Sequence, residues 1–198
     1  DVYKRQWYEN DGAANPSWTK SVITNTLNAT NGVYVADVDS DGDLDILSAS
    51  QDDSRVAWYK NDGAVNPSFT ALNIDISAGQ ALDVRVIDID GDGDQDVYTS
   101  NYAGTLNWYE NDGNAIPSWT KNVIANRTLN AYVLETAHGD LDGDGDLDIV
   151  SASYNDNTIA WYESDLANGN IGPVFAQVGA DFTSTSGSVT FNPGETVK

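Results

Sequence analysis

Asp37 to Asp45 reads DVDSDGDLD, and the stretch returns as DIDGDGDQD from Asp88 to Asp96 and as DLDGDGDLD from Asp140 to Asp148. Each copy has Asp at its first, third, fifth, seventh and ninth positions and Gly at its sixth (Gly42, Gly93, Gly145). The first residues lie 51 and 52 positions apart. Alternate carboxylates on a tight loop can converge on one point. Calcium is a hard cation that takes about 6–8 oxygen ligands at about 2.3–2.6 Å, and glycine at position six lets the chain bend sharply after the third ligand. Val38 and Leu44, at even positions, are free to face a core. Asp and Gly also make ordinary turns. Five carboxylates in nine residues repel one another without a cation, however, and here they do so three times in register. The expected metal residues are Asp37, Asp39, Asp41, Asp43 and Asp45; Asp88, Asp90, Asp92, Asp94 and Asp96; and Asp140, Asp142, Asp144, Asp146 and Asp148. About three Ca2+ ions are expected, one per loop. Mg2+ demands near-ideal octahedral geometry and retains water, so an all-carboxylate cage suits it less.

The EF-hand loop begins the same way, but it needs a bidentate Glu at position twelve and a helix on each side. Position twelve here is Ser48, Thr99 and Ser151. The flanks VYVA (33–36) and DILSAS (45–50) are β-branched and alternating, which predicts strands. Each loop therefore joins two strands.

A second repeat opens on Trp-Tyr: WYENDGAANPSW from Trp7, WYKNDGAVNPSF from Trp58, WYENDGNAIPSW from Trp108 and a looser WYESDLANGNIGPVF from Trp161. NDG is a hairpin-type turn, and the following Pro16, Pro67, Pro117 and Pro173 mark strand starts or edges. One unit thus reads strand, acidic loop, strand, turn, Trp-Tyr strand, NDG turn, strand. Four strands at a fixed period of about 51 residues predict the blade of a β-propeller. Full blades are expected over 27–76, 77–126 and 127–178, with 7–26 as the second half of another. Residues 1–6, DVYKRQ, break the repeat, because polar Arg5 stands where Val56, Leu106 and Ile159 stand. They are expected to be a non-native or disordered leader. The fold class is all-β: a propeller fragment of about three and a half four-stranded blades, expected as an open arc rather than a closed four-bladed ring.

Thirty-one acidic residues against nine basic ones give a net charge of −22. Three calcium ions would leave it near −16, still acidic. That argues against nucleic acid and anionic membrane as partners. There is no Cys, hence no disulfide or thiol chemistry. No apolar run approaches the ~20 residues of a membrane span.

The paired motifs resemble the FG-GAP/VCBS repeat family, whose best-known members include the propeller of integrin α subunits. The resemblance covers about 170 of the 198 residues. It implies a calcium-stabilised propeller, usually seven-bladed, in secreted or cell-surface proteins, often large bacterial adhesion or matrix proteins. By the family pattern the side-chain ligands are positions one, three, five and nine. Position seven (Asp43, Asp94, Asp146) gives its backbone carbonyl while its carboxylate points elsewhere. The FG-GAP words themselves are absent, which implies the VCBS-like branch, and integrin-type ligand binding is not carried over. The tail, 179–198, resembles a piece of a Calx-β domain through Asp181, Phe182, Gly187, Phe191, Pro193, Gly194 and Glu195.

Other candidate sites are weaker. The Trp-Tyr pairs (Trp7/Tyr8, Trp58/Tyr59, Trp108/Tyr109, Trp161/Tyr162) are read as packing rather than sugar platforms, since adjacent strand residues face opposite sides. Trp18, Phe69, Trp119 and Phe175 occupy one equivalent position and are expected in the core between blades. His138 replaces Val35 and Val86 of the other copies and is expected to be packed or on the surface. One His and no Cys assemble no nucleophilic triad. Glu135 and Asp83 have no evident partner for a glycosidase pair. The expected function is a non-catalytic calcium-binding module of a secreted or cell-surface bacterial protein, serving adhesion or matrix, with a protein or glycan ligand and adjoining blades of its parent as partners. The alternative is an accessory propeller of a polysaccharide-degrading enzyme whose catalytic domain lies outside this chain.

Overall fold

The structure, a computed structural model, describes residues 5–126, 133–155, 158–165, 170–174 and 188–190. Among these residues there are fifteen strands and no helix. Strands β1 (Arg5–Asn10) and β2 (Trp18–Thr24) form a two-stranded ribbon. The first full blade is β3 (Thr30–Ala36), β4 (Asp45–Ser50), β5 (Arg55–Asn61) and β6 (Phe69–Asp75). The second is β7 (Ala81–Ile87), β8 (Asp96–Asn101), β9 (Thr105–Glu110) and β10 (Thr120–Asn126). The third is β11 (Val133–Gly139), β12 (Asp148–Ser153), β13 (Thr158–Asp165) and β14 (Asn170–Val174). Each is an antiparallel meander in chain order, and each acidic loop joins the first strand to the second.

Two details depart from the sequence expectation. Arg5 and Gln6, set apart as part of a leader, pair with Thr24 and Val22 in the ribbon. The tail adds β15 (Ser188–Thr190) to the third sheet, paired with Thr158–Ala160 of β13 beside the stretch that β14 covers. The rest of 179–198 lies outside the described residues, and so does Phe175.

The blades stack face to face. β7 lies against β3, β4 and β5, and β11 lies against β7 and β8. One apolar cluster (with Val38, Leu47, Trp58, Val84, Val97 and Tyr109) fills the space between the first and second blades. Another (with Ile89, Tyr98, Leu106, Ile149 and Tyr162) lies between the second and third. A smaller one joins Leu27, Ala57 and Tyr59 to Ile23 of the ribbon. The Trp-Tyr pairs of the first and second full blades straddle their sheets, as alternation requires. Trp58 faces the following blade and Tyr59 the preceding one; Tyr109 likewise reaches back to the first blade.

This directional packing explains the one misplaced core aromatic. Trp119 packs back on the cluster between blades one and two, and Phe69 on that between ribbon and blade one. Trp18, expected in the core, is 58% exposed, because no described blade precedes the ribbon. Val33 and Val35 are each 52% exposed, whereas their equivalents Val84 and Val86 are buried under β3 and β4. At the other end Ile159 is 46% exposed, while Val56 and Leu106 are fully covered. Among the described residues the arrangement is an open arc.

Gly32 on β3 sits directly against the backbone of the next blade. A Cβ there would lie 2.9 Å from Asp83 Cα and 2.9 Å from the Leu82 carbonyl oxygen, both backbone atoms of the next blade. Backbone cannot step aside as a side-chain tip can. Gly32→Ala is expected to lower stability by about 1–3 kcal/mol, as over-packing does. The urea midpoint reads it, and an unchanged midpoint would show that β3 and β7 tolerate separation there.

Candidate metal centre

The local fold of each acidic loop follows from its own carboxylates. The first Asp turns back on the loop amides. Asp37 accepts from the N–H groups of Asp41 (3.1 Å) and Gly42 (2.9 Å). Asp88 accepts from Gly91 (2.8 Å) and Gly93 (3.0 Å), and Asp140 from Gly143 (2.7 Å) and Gly145 (3.2 Å). Gly42, Gly93 and Gly145 have φ of 95°, 98° and 102°, the bend anticipated at position six. Position four is also left-handed: Gly91 at 75°, Gly143 at 82° and Ser40 at 58°. Only the two glycines signal this in sequence.

The ninth Asp anchors the loop to its blade. Asp45, Asp96 and Asp148 are buried. Asp45 accepts Val38 N–H (3.2 Å) and Asn61 N–H (2.7 Å). Asp96 accepts Ile89 N–H (3.1 Å) and Asn111 N–H (2.8 Å). Asp148 accepts Leu141 N–H (3.0 Å) and Ser164 N–H (3.0 Å). One carboxylate therefore joins the second loop residue to the end of the Trp-Tyr strand. Burial pushes the Asp96 carboxyl up to about 7 against these hydrogen bonds, with the Asp90 charge adding to the rise.

In the first two loops the seventh Asp reaches over to the NDG turn. The Asp43 carboxylate packs over Gly63, and Asp94 over Gly113, so closely that neither glycine has room for a Cβ. NDG is thus more than a turn. Its Gly accommodates the loop's carboxylate, and its Asn holds the loop. Asn61 Nδ2 donates to Leu44 O (3.0 Å), and Asn111 Nδ2 to Gln95 O (2.9 Å) and to Val38 O of the preceding blade's loop (3.3 Å).

What remains is a convergent set in each loop. Carboxylate oxygens of Asp37, Asp39 and Asp41 lie within 4.8 Å of one another, as do those of Asp88, Asp90 and Asp96, and of Asp140, Asp142 and Asp144. Two oxygens on opposite sides of a calcium ion would be about 5 Å apart, so these sets fit around such an ion. Asp39 Oδ1 is buried without a hydrogen-bond partner, on a side chain only 1% exposed. A buried anionic oxygen with no donor is the kind of group a cation satisfies. Burial and the charges of Asp92, Asp88 and Glu110 raise the Asp90 carboxyl, and a bound cation would reverse that strain. In the first loop the ammonium of Lys60 contacts Asp39 Oδ2 and, at 2.7 Å, Asp41 Oδ2.

The other candidates resolve into packing and ion pairs. His138 is half-buried, with Nδ1 3.1 Å from Tyr98 Oη and the two rings edge-on. Glu135 and Asp83, which had no evident partner in sequence, are joined through Arg85. Its Nη2 is 3.1 Å from Glu135 and its Nη1 3.2 Å from Asp83. Asp83 Oδ2 also accepts from the N–H (3.1 Å) and hydroxyl (2.6 Å) of Thr136. The group ties β7 to β11 between blades.

Fold and loops together define a propeller-type repeat module. Residues 37–99 match the family model of the FG-GAP-like repeat. That span runs from the first carboxylate of one loop through the whole of the next and into β8. No curated protein matches the chain.

Proposed function

We propose that this chain is a non-catalytic calcium-binding module of a secreted or cell-surface protein, in which three structural Ca2+ ions stiffen three blades and the assembled surface binds a protein or glycan. The observation that carries this reading is the recurrence of three converging carboxylates at the same place in every full blade. The converging oxygens come from positions one, three and five in the first and third loops and from positions one, three and nine in the second; position nine also fixes the loop base, and position seven leaves its carbonyl for the ion. Calcium's chemistry there is charge neutralisation. Such a role suits an extracellular compartment, since extracellular modules hold calcium at about 10⁻⁴–10⁻³ M and need a medium where it is abundant. The apolar surface at Trp18, Val33 and Ile159 supports adjoining blades as neighbours.

Isothermal titration with Ca2+ tests the reading. About three sites are expected, and Asp39→Ala is expected to remove one. A flat titration, or a stoichiometry untouched by the substitution, would reject the ligand assignment. Binding to a glycan array by the calcium-loaded chain would place the ligand among carbohydrates, and a blank array would leave protein ligands as the reading to pursue.

A further inference from the structure

The three loops differ at the residue that follows each Trp-Tyr pair. It is Lys60 in the first full blade, Glu110 in the second and Glu163 in the third. The position lies beside the loop for a structural reason. The ninth Asp accepts a hydrogen bond from the next backbone amide, that of Asn61, Asn111 or Ser164. This holds the preceding residue at the loop's flank. In the first blade that residue is a cation. Lys60 Nζ bonds Asp39 and Asp41, two members of the converging set, and lies 5.7 Å from the Trp58 ring centroid. In the second blade it is a carboxylate whose charge acts on Asp90. The flanking charge thus differs by two units between the loops.

We propose that Lys60 is a built-in counter-ion, which holds the first loop in shape when calcium is scarce and makes that loop the last of the three to take calcium. The inference rests on reading the loops as calcium sites. An ammonium at hydrogen-bond distance from two ligand carboxylates must be displaced, or its charge opposed, before a divalent ion can use them. Glu110 adds negative potential instead and draws the ion in, and Glu163 at the equivalent position carries the same charge. The blades then respond to calcium in sequence: the second and third fill first, and the first stays internally neutralised until calcium is high.

Hydrogen exchange along a calcium titration of the whole chain reads each loop separately. In the wild type, protection of 88–96 and 140–148 is expected at calcium at least about tenfold below that needed for 37–45, given the size of a unit charge a few ångströms away. Lys60→Met and Lys60→Glu are expected to close that gap. In EGTA, where calcium plays no part, Lys60→Met is expected to speed exchange of 37–45 and leave the other loops unchanged. Lys60 is 27% exposed, so neither variant opens a core cavity, and Lys60→Gln serves as a second neutral variant. Three loops protected together in the wild type would overturn the proposal and leave the calcium reading intact, as would a gap that survives Lys60→Met. So would a first loop in EGTA indifferent to the substitution. No calcium-dependent protection in any loop would overturn both.

Discussion

Millimolar calcium is expected to raise the melting temperature of this protein by about 8–16 °C over the same chain in EGTA. The size follows from linkage. A ligand at about ten times its dissociation constant stabilises by about 1.4 kcal/mol per site, or about 4 kcal/mol over three. In a domain of this size, 1 kcal/mol shifts the midpoint by about 2–4 °C. The sign follows from the loops. Without a cation each holds five carboxylates in nine residues, and Asp39 keeps an unpartnered oxygen buried. Folding fixes these charges at closer range than the unfolded chain does, so the metal-free native state carries the larger repulsion. Magnesium at the same concentration is expected to give a smaller shift. Thermal unfolding by circular dichroism checks it, with the far-ultraviolet signal following the strands. A cooperative melt at one temperature in both solutions would reduce the loops to turns.

Much of this was legible in the sequence because the repeat is regular at two scales. The 51- and 52-residue spacing set the blade. Alternation within the strands set which face of each Trp-Tyr pair goes where, and Trp58 and Tyr59 obey it by burying into opposite clusters. What the sequence did not show is contact between motifs. The Asp43 carboxylate over Gly63 joins the acidic loop to the NDG turn, and nothing in either motif names the other. Arg85 between Asp83 and Glu135 depends on β7 lying beside β11, a relation that local pattern does not encode. Trp18 shows the converse limit. Its repeat position is that of a core residue, yet burial depends on a neighbouring blade, and the ribbon has none on that side among the described residues. Ser40 adopts the left-handed conformation that Gly91 and Gly143 adopt, so two of the three copies carried a signal that the third hid.

The ninth Asp can be separated from the ion by experiment, and Asp96→Ala is expected to destabilise the protein by about 3 kcal/mol even in EGTA. Asp96 is 1% exposed, and both its oxygens are in use. Removing them leaves the N–H groups of Ile89 and Asn111 without acceptors in a buried setting, at about 1–3 kcal/mol each. Part of this is offset, because the carboxylate is itself expensive to bury, as its rise to about 7 shows. The net should lower the midpoint by roughly 6–12 °C in a domain of this size. Asn is no remedy. Its oxygen can replace one acceptor, but its NH2 then faces the other amide, donor against donor. Asp92→Ala in the same loop is the contrast. Asp92 is exposed, and its main contact is a local bond from the Asp94 N–H at 2.9 Å. In EGTA its loss should change the midpoint little, since a hydrogen bond is traded for relief of repulsion, whereas in calcium it should forfeit up to about a third of the gain, the share of one site in three. The two variants therefore cross: Asp96→Ala is damaged with or without the ion, and Asp92→Ala only with it. If Asp96→Ala melted with the wild type in EGTA, the buried carboxylate would be a ligand alone, and the link between loop and Trp-Tyr strand would have to lie in the Asn111 side chain.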